Sequence, residues 1–329
     1  MTLLENTSDG SPIDQNKGKD EGLNRDSRMR MTAQLSGNGT LSVLRAACSS
    51  AGMEADGAQK VRFGAGTGYQ LPSGVVVRIS HPDHRPEARR EIQAARWLTT
   101  SGVAALRTLP DVRQPLEIQG RTVTFWQVPP LYQHGALDHM AQALLRLHSL
   151  APPTTFPLGQ LQPFRGIAEL IDTAELTTGD DRRWLREHLA ELRGRWADLP
   201  SGMQWCVIHG EAWGREFAAT VDHDVLMLNL ENLSIGPPEW DLIPTAIAYA
   251  SLGWITSAQY ARFCDTYHLD VLRWPGFFLL RDIVELRMTM DAVRAAVADP
   301  IHLHQARWRL ACIRGDEGPR QWPGWAPLH

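Results

Sequence analysis

Nothing in the sequence reads as a disulfide frame or a structural zinc site. Its 329 residues include four cysteines, Cys48, Cys206, Cys264 and Cys312. No two of them stand in CxxC spacing, so buried thiols in a reducing cytoplasm are expected. No run of about 18 apolar residues occurs, which argues against a membrane-spanning helix. The N-terminus has no apolar signal core either, and a cytoplasmic location is the expectation. Basic charge is not in excess: 33 Lys and Arg stand against 37 Asp and Glu, a formal net charge of −4. Nucleic acid and acidic membranes, which need a concentrated basic surface, are therefore not expected as partners. His81, His84, His302 and His304 do not stand in HExxH spacing, which removes support for metalloprotease chemistry. His209-Gly210-Glu211 supplies half of a zinc-deaminase signature, but no PCxxC follows to complete it.

What is present is enough apolar material for a large core. With 43% hydrophobic residues, the chain can build one large domain or two lobes. Residues 1–39, rich in Ser, Asp, Asn, Gly and Lys, cannot repay the entropy of ordering and are expected to form a mobile tail. Thr40 to Gly52 has helical spacing. From Lys60 the period becomes that of strands: KVRF, a GAGTG segment, then YQLPSGVVVRIS turning at Pro72-Ser73-Gly74. The helix EARREIQAARWL follows, and Val112 to Gln127 supplies two more strands around Gln119-Gly120, for a five-stranded small lobe over 40–128. The remainder, 129–329, reads as mainly helical. One helix there ends at LLRLHSL, where His148 reads as a packed histidine. Another carries the charged face DDRRWLREHLAELRGRW, a solvated surface with weak i,i+4 ion pairs.

The stretch around which the chain is organised is Trp205 to Leu242. Apolar Val207 and Ile208 break at His209-Gly210, and a second apolar run, Val225 to Leu230, carries Asn229 and is followed by Glu231. Two short strands joined by a loop would bring Glu211, Glu216, Asn229 and Glu231 to one rim, a plausible seat for a magnesium ion and a phosphate.

This stretch resembles the catalytic segment of the aminoglycoside phosphotransferase and choline kinase-like family, and the resemblance extends from Thr40 to the C-terminus. The match rests on His209-Gly210 and on Gly236, Pro237, Pro238, Trp240, Asp241 and Leu242. It implies an α+β, two-lobed protein kinase-like fold, with a small antiparallel lobe and a helical lobe. It also implies ATP and Mg2+ as cofactors, and a small-molecule or peptide ligand between the lobes. By position, Glu211 stands where the family has its catalytic Asp, Glu216 where it has an Asn, and Asn229 where it has its metal-binding Asp. His209 and Glu211 are the implied catalytic pair, with Glu216, Asn229 and Glu231 as the metal set. Gly64, Gly66 and Gly68 take the place of the phosphate-cradling loop, and Arg78 that of the phosphate-contacting lysine, with Glu91 as its partner. Gln127 and Val128 sit where the adenine contacts the backbone. Two functions stay open: ATP-dependent phosphorylation of a hydroxyl with altered residues, or a kinase-shaped binding module that transfers nothing.

Overall fold

The computed structural model describes residues 39–61, 63, 66–128, 131–134, 137–174, 177–220, 225–322 and 324–326. The expected tail up to residue 38 and Gly64 lie outside them.

A first helix, α1, covers residues 39–50 and buries Val43, Leu44, Ala47 and Cys48 against the sheet that follows. That sheet is antiparallel and has six strands where five were expected. It comprises β1 (Gln59–Val61), β2 (Thr67–Gln70), β3 (Val75–Ser80), β4 (Arg107–Thr108), β5 (Leu116–Ile118) and β6 (Arg121–Gln127), in the order β1-β2-β3-β6-β4 with β5 also on β6. The extra strand, β4, is two residues long, too short for any alternation to announce it. Between β3 and β4 runs α2 (Arg85–Thr100), which buries Glu91, Ile92, Ala95 and Leu98.

Side chains alternate across a strand, so the register of β3 on β6 sorts them into two faces. Val75, Val77, Ile79, Val123 and Phe125 pack under α1, forming the small lobe's own core. Val76, Arg78, Thr124 and Trp126 face the other way, towards the large lobe.

The large lobe begins with β7 (Leu131–His134) and α3 (Leu137–His148), then α4 (Ile167–Thr173) and α5 (Gly179–Ala197). Thr178 starts α5 with a capping box: its Oγ1 accepts from the N–H of Asp181 at 3.1 Å, and Asp181 Oδ2 accepts from the N–H of Thr178 at 3.1 Å. Four short strands follow, β8 (Cys206–Ile208), β9 (Phe217–Thr220), β10 (Val225–Met227) and β11 (Ser234–Gly236). Their pairing corrects the expected one: β8 pairs with β11, not with the Val225 run, which pairs with β9. Helices α6 (Glu239–Ala250), α7 (Ser257–Tyr267), α8 (Phe277–Ala298) and α9 (Leu303–Arg314) complete the chain. In α6 every residue from Glu239 to Ala248 is buried, as expected of a helix at the centre of a lobe. No helix among the described residues is long and apolar enough to cross a membrane.

Candidate functional site

The site is built on the turn that leaves β8. Val207 and Ile208 are fully buried, which anchors the strand, and the chain then turns at His209-Gly210. Gly210 has φ +82, and a Cβ there would run into the carbonyl of Asn232, so both the conformation and the space require glycine. Asp241, in the first turn of α6 and wholly buried, fixes the turn. Its Oδ2 accepts the His209 N–H at 2.6 Å and its Oδ1 the Gly210 N–H at 2.8 Å, while His148 Nε2 lies 3.0 Å from Oδ2. His148 Nδ1 in turn meets the Tyr267 hydroxyl at 2.6 Å, and Trp240 Nε1 donates to the Gly210 carbonyl at 2.9 Å. A carboxylate placed in the interior is stabilised only when its oxygens are this fully engaged.

Beyond the turn, Glu211 Oε2 accepts from Asn232 Nδ2 at 2.7 Å. Burial pushes the Glu211 carboxyl above its ordinary range; the Arg287 charge opposes this, and Asp291 and Glu216 add to it. Glu216 is buried, with 5% exposure, and both its oxygens are engaged within the chain. Arg215 Nε donates to Oε1 at 2.8 Å, and Asn229 Nδ2 donates to Oε2. The Asn229 backbone is left-handed, φ +49, a conformation that asparagine tolerates better than most residues. The same Arg215 guanidinium reaches Glu211 Oε1 at 3.8 Å. Glu231 lies in a single 3-10 turn, Leu230–Asn232, rather than on a strand face. Its carboxyl is pushed up to about 7, first by burial and next by the Glu91 charge; Arg78 opposes, and Glu211 and Glu216 add.

These donors do not fit a magnesium ion. Magnesium takes a tight octahedron of oxygens, usually one or two carboxylates with waters. Here the one carboxylate deep in the seat is held by a guanidinium and an amide N–H, and the neighbouring amide presents its donor rather than its acceptor. Among the described residues no group of three or more His, Cys, Asp or Glu could hold a metal ion.

On the small-lobe side, Arg78 and Glu91 are buried and form a two-pronged ion pair. The guanidinium lies over the ring of Trp126, 5.4 Å from its centroid. Phe63 packs on the same indole at a centroid distance of 6.4 Å, and Trp126 Nε1 donates to Thr124 Oγ1 at 2.8 Å. Gly66, with φ +126, and Gly68 are needed for packing: a Cβ at Gly66 would sit 2.6 Å from the Ile79 carbonyl, and one at Gly68 2.8 Å from the Val61 carbonyl.

A cavity of about 990 Å³ opens between α2, residues 157–167, the Gly210-Glu211 turn, residues 230–234 and α8. Glu211 and Glu231 line it, as do Asn232, Ser234, Arg287 and Asp291. Ser234 Oγ is buried in this wall without a hydrogen-bond partner.

A model of the phosphotransferase enzyme family matches residues 57–278, about two thirds of the chain. The chain belongs to that family. An aminoglycoside phosphotransferase of Streptomyces rimosus is 18% identical with a TM-score of 0.57, over 75% of this chain and 97% of that one. A choline/ethanolamine kinase family protein of Mesorhizobium loti is 15% identical with a TM-score of 0.57, over 88% and 96%. Amicoumacin kinase, solved with AMP-PNP, Ca2+ and its ligand, is 10% identical with a TM-score of 0.62, over 82% and 90%. Identities this low establish a shared, kinase-like fold and nothing finer. No curated protein matches the chain.

Against the positions that the phosphotransferase family marks, the structure brings some residues together and separates others. Arg78, Glu91, Glu211 and Glu231 share the cavity wall. Glu216 and Asn229 lie behind it, bonded to each other. His209 is fully buried against Phe217, with Nε2 2.9 Å from the Leu228 carbonyl, so its side chain holds the loop rather than facing the cavity. Gln127 ends β6 and Val128 follows it, and neither lines the cavity. Arg215, Asn232 and Arg287 went unnoticed in the sequence. Only Arg215 carried a signal there, a basic residue wedged against Glu216.

Proposed function

We propose that this member of the phosphotransferase family binds a small molecule in its 990 Å³ cavity without running metal-dependent phosphoryl transfer. The observation that carries this reading is Trp126. It sits on the cleft face of β6, one residue from Gln127, is fully buried, and with Phe63 belongs to the core of the large lobe. An adenine ring seated against the Gln127-Val128 backbone would meet this indole, which stands opposite Val76 in the register of β3 on β6 and has Phe63 packed on its ring. The cavity, by contrast, is open and lined by Glu211, Glu231 and Arg287.

The test is calorimetric titration of the whole protein with ATP, with and without Mg2+, repeated on Trp126→Ala. Absence of binding to the parent protein supports the reading. Micromolar, magnesium-dependent binding to the parent protein would overturn it.

A second reading, transfer of a phosphoryl group to a ligand hydroxyl, is favoured by Glu211. Its carboxyl is raised by burial and faces the cavity, which moves it towards the range of a base working near neutral pH. Turnover of ATP in the presence of a hydroxylated ligand, lost in Glu211→Gln, would select this reading.

A further inference from the structure

We propose that Arg215 is a resident cation, its guanidinium standing between Glu216, a member of the expected metal set, and Glu211, so that a fixed positive charge occupies the side of Glu216 that a divalent ion would need. Nε donates to Glu216 Oε1 at 2.8 Å, and NH2 lies 3.8 Å from Glu211 Oε1. Asn229 closes the second oxygen of Glu216. The side chain reaches this position by lying over Trp213, with the guanidinium carbon 5.9 Å from the ring centroid. Two carboxylates this close, one of them buried, repel each other and require a positive charge nearby. The other arginines of the site form no ion pair with either carboxylate: Arg78 pairs with Glu91, and Arg287, whose charge also acts on Glu211, donates to the Pro163 carbonyl at 3.1 Å. Among the described residues, Arg215 therefore supplies the charge that contacts both carboxylates.

The chemistry differs from that of a metal in a useful way. A guanidinium is planar, fixed at one positive charge and weakly hydrated, and its fork fits a carboxylate edge. It balances charge but offers no open coordination position. Replacing it with a neutral side chain leaves Glu216 and Glu211 beside a vacated, electronegative pocket. Such a pocket should then recruit a divalent ion.

The inference rests on the reading that the metal seat is not used for transfer, and its test needs no nucleotide, so the two can fail separately. Free Mn2+ is followed by electron paramagnetic resonance in the presence of the full chain at up to about 1 mM ion. The parent protein should leave the ion free. Arg215→Ala should bind one ion at least about tenfold more tightly than the parent, and the double variant with Glu216→Gln should lose that gain. A one-to-one Mn2+ site in the parent protein, or a folded Arg215→Ala with no gain, would overturn the proposal.

Should Arg215→Ala fail to fold, the Arg215 Nε–H resonance of the parent protein decides instead. A signal that stays sharp on addition of Mn2+ supports a resident guanidinium. Stoichiometric paramagnetic broadening overturns it.

Discussion

Two buried carboxylates, Asp241 and Glu216, serve the segment that leaves β8 and have opposite surroundings. Asp241 holds the frame: its oxygens take the backbone N–H groups of His209 and Gly210 and face His148, which is itself tied to Tyr267. Glu216 was expected in the metal set, and its oxygens are closed by Arg215 and Asn229. The first arrangement builds the turn of a phosphotransferase, while the second removes a free acceptor from it. A supporting network can thus stand beside a separately paired set of charges, because the two sets share none of these hydrogen bonds.

The comparison can be broken most severely at Asp241. Asp241→Ala strips the partners from two buried N–H groups and from His148, and a loss at the upper end of about 3–5 kcal/mol is expected in urea denaturation. Glu216→Gln, by contrast, should cost far less, since its amide can still accept from Arg215.

Trp126→Ala comes next. It should cost about 3 kcal/mol through the cavity it leaves, and it should give the cleft measurable affinity for adenosine, read by calorimetry. A Trp126→Ala protein that is destabilised but binds no adenosine would limit the indole to packing.

Smaller again is Arg78→Lys, which replaces a two-pronged contact with Glu91 and the stacking on Trp126 by a point charge. A loss of about 1–2 kcal/mol in chemical denaturation is expected.

The smallest effect concerns Glu231. Its carboxyl rises from an ordinary 4.5 to about 7 in the folded chain, where burial and the charges of Glu91, Glu211 and Glu216 outweigh Arg78. The folded state therefore holds this proton more tightly than the unfolded one. The stability it contributes is complete below about 4.5 and is lost as pH rises through about 7. Glu231→Gln should flatten the pH dependence of the melting temperature in that window. An unchanged slope would assign the dependence to another group.

The frame was legible because it is written in contiguous signals. His209-Gly210 and the Gly236 to Leu242 run are local, and the helical and strand periods from Lys60 onwards report burial directly. The closing of the site was not legible, since it depends on where long side chains turn. Arg215 could as well have pointed to solvent, and its adjacency to Glu216 in the sequence does not by itself say that it also reaches Glu211. Strand pairing was misjudged because Val225 to Leu230 reads as one apolar run, whereas the strand ends at Met227, the chain turns through the left-handed Asn229, and β8 meets β11. Trp126 follows Phe125 in a strand buried on both faces, so alternation could not say which ring faced the cleft. The last tryptophans are buried at 4% and 1% exposure for Trp322 and Trp325, and Trp254 Nε1 donates to the Trp325 carbonyl at 2.8 Å. Such docking across 71 residues of sequence leaves no periodic trace.

Trp126 has a mechanical consequence as well. The indole grows from the small lobe's sheet, yet it is packed in the same core as Ile92, Leu98, Phe217 and Met227. Swinging the lobes apart would draw a large aromatic surface out of that core. The joint is therefore stiff, and heat should melt the two lobes in one calorimetric transition whose enthalpy matches the van't Hoff value.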